Sequence, residues 1–363
     1  MTQAIIHTRL NIKRVHHGLI ALLLLMLASC GGDSSSSTTD RDINSTLNGK
    51  IILGNDGWQL DIDSGEYSRI PGVESWDDNP NYLGIARVAA TPVAYTGSEL
   101  IETVHDCQLG DYNCMNIYTA NGDFVSGLLY TGSLKTPIKP SRDGLYLAVS
   151  HQYGGSASDL YLEIHSRDGN LVDATLLAGN FSKVSFDWTP DNRLVYTLDD
   201  SIYITTPVST QGNNLISFTT QQGKPEDITV SPDGTRLAFS LVTDANAAAV
   251  HGYIYTLNID GSGLNRLAVV PGNDDPILEH PGWSPDGQWI LVQEGDVNGQ
   301  STTNPGLPGT LFAVPATGTD VPLTSDTGAT SAILIESRFG TIVGGSNAIG
   351  ASFVSDGNLH WVQ

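Results

Sequence analysis

One ten-residue phrase recurs along this chain: SPDGTRLAFS begins at Ser231 and SPDGQWILVQ at Ser284. Aligned on the Asp-Gly pair, PSRDGLYLAVS adds Asp143 to the register and WTPDNRLVYT adds Asp191, at intervals of 48, 42 and 53 residues. Weaker copies put Phe339 a further 53 residues on and fall near Thr91 and Asn48 upstream, which makes seven registers. A period of about 40–50 residues outranks other fold cues, because it marks a propeller or an array of like units.

Each unit offers four segments of strand length. The first leads into Asp-Gly (strand A) and the second follows it, as in RLAFS or WILVQ (strand B). An Asp-Gly pair favours a tight hairpin, since glycine reaches positive φ without a Cβ clash. DLYLEIHS, SIYITTPV, YIYTLNID and TLFAVPAT follow as strand C, with apolar and polar residues alternating, and a Gly-containing turn leads to strand D. One four-stranded sheet cannot bury both its faces; successive sheets packed about an axis can, and they leave only short edges. The sequence therefore predicts an all-β fold over 44–363, a β-propeller of four-stranded antiparallel blades. Seven blades are expected, with six and one composite blade as the alternative. Trp188 and Trp283 stand at equivalent places before the S/T-P-D turn and are expected to pack between blades.

The first residues read as an export signal. Arg9, Lys13 and Arg14 precede the apolar run GLIALLLLMLA, too short for a spanning helix. It ends in LASC, Leu27 to Cys30, which resembles the lipobox of bacterial lipoproteins. That resemblance implies cleavage after residue 29 and acylation of Cys30, an anchor worth about 0.8 kcal/mol per buried methylene. Gly31 after the cysteine favours the outer membrane by analogy with enterobacterial sorting. Residues 30–43, with GGDSSSSTTD, form a tether too polar to pack.

Beyond the signal the chain carries 14 basic against 39 acidic residues, a formal charge of −25. Nucleic acid is therefore not an expected partner, and membrane contact is expected through the lipid alone. In an oxidising compartment, Cys107 and Cys114 of HDCQLGDYNC are expected to form a short-loop disulfide. A metal site using both thiolates with His105 and Asp106 is the alternative, although its spacing fits no standard zinc pattern.

With four copies in series, the S-P-D-G repeat resembles the TolB-like (PD40, WD40-like) propeller family over nearly all of 44–363. The chain departs from TolB in placing a Ser-rich linker where that family has an α/β domain, and in carrying a lipid signal. Several enzyme classes lack their motifs here: there is no G-x-S-x-G elbow, Walker A, GxGxxG or HExxH. S-P-D-G also lacks the residue between Asp and Gly of the sialidase Asp-box. Oligogalacturonate lyases are similar in having a propeller of this repeat family and a histidine-bound divalent metal. That likeness implies His151, His251 and His280 as candidate ligands, and a metal-dependent polysaccharide lyase as the alternative to a binding role.

Antiparallel strands sort the loops by face. A–B and C–D turns fall on one side, B–C loops and D-to-A connections on the other. The A–B turns are uniformly short, whereas GSELIETVHDCQLGDYN, SHQYGGSASD, VTDANAAAVHG and EGDVNGQSTTNPGLPG elaborate the B–C side. Function concentrates on such loops. The candidate binding face therefore comprises Trp76, Asp77, Asp78, His105, His151, Tyr153, His251, Glu279, His280 and Asp296, in a monomeric scaffold for an envelope protein or glycan. GDVNGQ, Gly295 to Gln300, lacks the acidic positions of a calcium loop and is expected to be a solvated turn.

Overall fold

The computed structural model describes residues 47–53, 58–69, 88–92, 99–104, 112–119, 124–131, 133–134, 139–152, 159–178, 184–243, 251–273, 276–294, 311–324, 330–337, 340–341 and 359–362. All belong to the second of two compact units, Asp42–Gln363. Every regular element among them is a β-strand, as the repeat requires.

Sheet I holds β1 (Lys50–Leu53), β2 (Trp58–Asp61) and β3 (Tyr67–Arg69). Sheet II is β4 (Val88–Pro92), β5 (Glu99–Val104), β6 (Tyr112–Thr119) and β7 (Phe124–Thr131). In sheet III two short segments, β8 (Ser133–Leu134) and β9 (Lys139–Pro140), share the inner edge of β10 (Tyr146–Gln152), followed by β11 (Asp159–Ser166) and β12 (Leu171–Ala178). Sheet IV is β13 (Phe186–Trp188), β14 (Leu194–Leu198), β15 (Ser201–Thr205) and β16 (Gly212–Ser217). Sheet V is β17 (Lys224–Val230), β18 (Arg236–Val242), β19 (Gly252–Asn258) and β20 (Asn265–Arg266). A short β21 (Ala268–Val269) precedes sheet VI, formed by β22 (Leu278–Trp283), β23 (Trp289–Glu294), β24 (Leu311–Pro315) and, after β25 (Val321–Pro322), β26 (Ile333–Leu334). β21 and β25 pair in parallel and tie sheet V to sheet VI. The hairpin β27 (Glu336–Ser337) and β28 (Gly340–Thr341) stands at the seventh register, and β29 (Leu359–Val362) ends the fold.

β29 returns to sheet I and pairs antiparallel with β1, Trp361 opposite Ile51 and His360 opposite Ile52. The chain end thus supplies the inner strand that the first register lacks. Among the described residues six sheets have four or five strands, and β21–β25 and β27–β28 form two-stranded pairs; the first register and the end of the last share one sheet.

The core lies between sheets. One cluster joins sheets III and IV through Leu160, Leu162, Phe186 and Trp188, and the next joins IV and V through Ile202, Phe239 and Leu257. A third joins V and VI through Ile254, Leu278 and Phe312, and a fourth joins VI to I through Leu291, Leu311, Ile51 and Trp361. Neighbouring residues of strand B point to opposite interfaces: Leu237 and Phe239 enter one cluster and Ala238 the next. That is the period-2 geometry of a strand covered on both faces, and it explains why strand B reads as a continuous apolar run.

The repeated motif builds one turn four times. Ser231 Oγ donates to Asp233 Oδ1 (2.6 Å) and accepts from Arg236 N (2.9 Å), while Thr235 N donates to Asp233 Oδ1 (3.0 Å). Ser141 with Asp143, and Ser284 with Asp286, repeat the bond at 2.6 Å, and Thr189 with Asp191 at 2.5 Å. The Gly position is left-handed throughout, φ 69° at Gly144, 73° at Gly234 and 69° at Gly287. Asn192 takes that place at φ 61°, because asparagine tolerates the left-handed region better than other side chains do. The proline serves the neighbouring blade: a Cβ on Gly234 would lie 2.5 Å from Pro190 Cδ, and one on Gly287 3.6 Å from Pro232 Cδ. Each turn therefore rests on the one before it, at one end of the ring.

Candidate functional site

Of the expected binding residues, Trp76, Asp77, Asp78, His105, Tyr153 and Asp296 lie outside the described residues, as do Cys30 and Cys107. Cys114 lies on β6 opposite Val104 and Leu129. His151 lies near the end of β10, opposite Leu134 and Tyr161, so it belongs to strand B at its junction with the loop. His251 directly precedes β19. Its N–H donates to Thr243 Oγ1 (2.9 Å) and its carbonyl accepts from Thr243 N–H (2.9 Å), which pins the two ends of one B–C loop.

Glu279 and His280 are placed differently from the sequence expectation. They belong to β22, the inner strand of sheet VI, and not to the connection before it. At His280 the ladder slips: Glu279 faces Gln293 and Gly282 faces Leu291, leaving two residues opposite one. β17 makes the same bulge between Glu226 and Thr229. The first bulged residue has positive φ in both strands, 54° at His280 and 49° at Asp227. Each lies four residues before the serine of its turn. Such conformations cost about 1–3 kcal/mol at a non-glycine residue and persist only where surroundings hold them.

The bulges aim two equivalent side chains at each other. His280 Nδ1 lies 3.0 Å from Asp227 Oδ2, with both side chains under a tenth exposed, and His280 Nε2 lies 3.8 Å from Glu279 Oε1. The Asp227 carboxylate is thus the ionisable neighbour of the Nδ1 ring nitrogen. Gln293 and Glu294 on β23 are buried close by in register. Among the described residues, no three His, Cys, Asp or Glu side chains converge as a metal site. This cluster is built to hold polar groups in fixed positions at the inner edge of sheets V and VI. Its only sequence signal is the shared offset of four residues before S-P-D-G.

A second level of the inner strands lies nearer the turns. Register places Lys139 opposite Ala148, Asp187 opposite Val195, Thr229 opposite Ala238 and Gly282 opposite Leu291, each two residues before the Ser or Thr of its turn, and His360 of the closing strand opposite Ile52. Asp187 Oδ2 accepts from Val230 N (2.7 Å) and Thr229 Oγ1 (3.2 Å), covering backbone donors on the free inner edge of sheet V. Arg142 reaches under sheet IV to donate from Nη2 to Val230 O (2.9 Å). Burial alone would raise the Asp187 carboxyl, but Lys139, Arg142 and the N–H groups of Val230 and Trp188 hold it below the usual carboxylate range. His360 is pushed down to about 4 by burial first, then by Lys139 and Arg142, with Asp187 opposing. No sequence pattern singles out His360, Lys139, Arg142 or Asp187.

Four-stranded antiparallel sheets packed in succession, with β29 closing on β1, make the fold that of a β-propeller. No family model and no curated protein matches the chain. Among solved structures, TolB from Acinetobacter baumannii aligns with a TM-score of 0.48 at 16% identity, over 75% of this chain and 65% of that one. A chain described as TolB from Agrobacterium tumefaciens aligns with a TM-score of 0.46 at 16% identity, over 79% of this chain and 98% of that one. Hydrazine synthase of Kuenenia stuttgartiensis aligns with a TM-score of 0.44 at 14% identity, over 71% of this chain and 70% of that one.

Proposed function

We propose that this chain is a lipid-anchored envelope protein whose propeller is a rigid scaffold for binding another envelope protein or a glycan, without catalysis, by the B–C end of the ring. The supporting observation is the His280–Asp227 pair. A buried ionisable pair on two left-handed residues is not a general need of the ring, since at the same offset Ser185 stands just before β13 and its hydroxyl accepts from Ile228 N. Strain and buried ionisable groups of this kind gather where a surface is shaped for a ligand. The opposite end is uniform, its turns built alike and resting on one another. Rigid frame and variable rim are the division of labour of a binding scaffold. Acylation of Cys30 would hold the ring on the outer membrane through the tether, and Cys107 with Cys114 would brace one elaborated loop.

Photo-crosslinking in the native envelope tests the choice of face. A crosslinking side chain at His251 or Glu279 is expected to capture one recurrent partner, and at Asp233 or Asp260, in the exposed turns of the other end, none. Capture from the turn end alone overturns the reading. Cys30→Ser is expected to release the protein from the membrane fraction; retention there would sink the anchor.

A further inference from the structure

The level of Lys139, Asp187, Thr229, Gly282 and His360 has unfilled binding capacity at the centre of the ring. His360 Nε2 is shut off from water and has no hydrogen-bond partner. Among the described residues no side-chain hydrogen bond or ion pair engages Lys139; its carbonyl accepts from Trp188 Nε1 and its backbone pairs with β10. Arg142 spends one of its five donors on Val230 O. Asp187 is committed to the backbone and hydroxyl of sheet V. Gly282 brings no side chain into the level. With His360 neutral, two cations face one carboxylate, a net positive charge inside a body of −25. A buried polar atom without a partner is costly and marks a place for a ligand or water.

We propose that this level is a binding site for one carboxylate, held by the Lys139 ammonium and Arg142 guanidinium and hydrogen-bonded by His360 Nε2. At neutral pH, while His360 is uncharged, the charge favours a monoanion: it cancels the single excess cation, whereas phosphate, near two negative charges there, would leave excess charge beside Asp187. A bound anion favours protonated His360, so binding takes up protons and tightens as pH falls from neutral toward about 4, where the empty site's imidazole titrates. The charged groups around that ring are Lys139, Arg142 and Asp187. Of the strands packed on β29, β1 carries Lys50, β22 carries Glu279 and His280, and β4 carries no charged residue. Two sources share this chemistry, a free carboxylic acid and the C-terminal carboxylate of a peptide.

The test uses the whole mature chain without its lipid, with histidine rings labelled for NMR. Lactate, N-acetyl-alanyl-alanine and its C-terminal amide are titrated in turn, with inorganic phosphate as a competing probe. Lactate or the free-acid peptide is expected to shift the His360 ring signals and raise its titration midpoint. The tighter of the two identifies the source. Lys139→Met, with its melting temperature checked against the parent, is expected to weaken binding about tenfold, the loss of one charge-assisted contact. The proposal fails if neither acid moves His360, if the amide binds as well as the acid, if phosphate binds more tightly than both, or if Lys139→Met binds normally. This site lies toward the turn end of the ring, so its failure leaves the B–C binding surface standing, and the converse holds.

Discussion

At the scale of single residues, the turn glycines separate two costs that sequence alone merges. Gly234 and Gly287 share a motif and a left-handed φ. Alanine at Gly287 would make only ordinary contact with Pro232 at 3.6 Å, so its cost is the conformational one, about 1 kcal/mol. Alanine at Gly234 would also meet Pro190 Cδ at 2.5 Å, a ring with little freedom to retreat, and is expected to cost about 2–3 kcal/mol. Urea midpoints of the two variants check the order; equal losses would mean the turns do not rest on each other. His360 gives a second residue-scale prediction. Its folded titration lies near 4 against an ordinary 6.5, so between those values the unfolded chain binds more protons than the folded one. Its stability contribution is therefore full above pH about 6.5 and declines as pH falls to about 4, by at most about 1.4 kcal/mol per pH unit. His360→Gln is expected to flatten that window in urea titrations. The carboxyls of Asp143, Asp191 and Asp233, depressed by their turn hydrogen bonds, add their loss in more acid solution.

At the scale of elements, the inner strands hold one another through side chains that reach across to a neighbour's backbone. Trp188 Nε1 donates to Lys139 O at 2.9 Å, and Trp283 Nε1 to Thr229 O at 3.4 Å. Trp188→Phe is expected to cost about 1–3 kcal/mol by leaving a carbonyl of β9 without its donor. Trp283→Phe should cost less through that longer bond, though it also weakens the stacking of Arg236, 4.9 Å above the ring. Chemical denaturation of both variants checks the ranking. These tryptophans, with the S-P-D-G turns and the apolar strand B, were legible in the sequence because each repeats at a fixed offset from Asp-Gly. The bulges of β17 and β22 were not. A bulge depends on backbone register, and Asp227 and His280 are different residue types, so no residue pattern marked them. His280 also follows a Pro-rich segment that reads as a connection, whereas the structure runs β22 from Leu278 to Trp283. The level of Lys139, Asp187 and His360 was hidden for a related reason: its members come from repeats far apart in the chain, and each alone looks like an ordinary charged position.

At the scale of the molecule, stability depends on β29 meeting β1. A linear array of sheets leaves two end faces wet, whereas a ring leaves none, and here the closing strand also pairs the edge of β1. Four residue pairs join Lys50–Leu53 to Leu359–Val362, and Trp361, 7% exposed, packs with Ile51, Leu60, Leu291 and Leu311 where sheet VI meets sheet I. Trp361 Nε1 also donates to Asn48 O at 2.8 Å, fixing the backbone just before β1. Removing residues 359–363 deletes the inner strand of one sheet and opens the interface between the last sheet and the first. Trp361→Ala alone is expected to cost about 3–5 kcal/mol, as for a large core aromatic. The truncation should go further, because it exposes a strand edge and an apolar face together: unfolding is expected to broaden, with sheets I and VI losing amide protection before sheets IV and V. Hydrogen exchange on the truncated chain reads this directly. Uniform protection, with one sharp transition at the parent's urea midpoint, would mean that the inter-sheet clusters hold the array without closure and that the ring is a consequence of packing, not its condition.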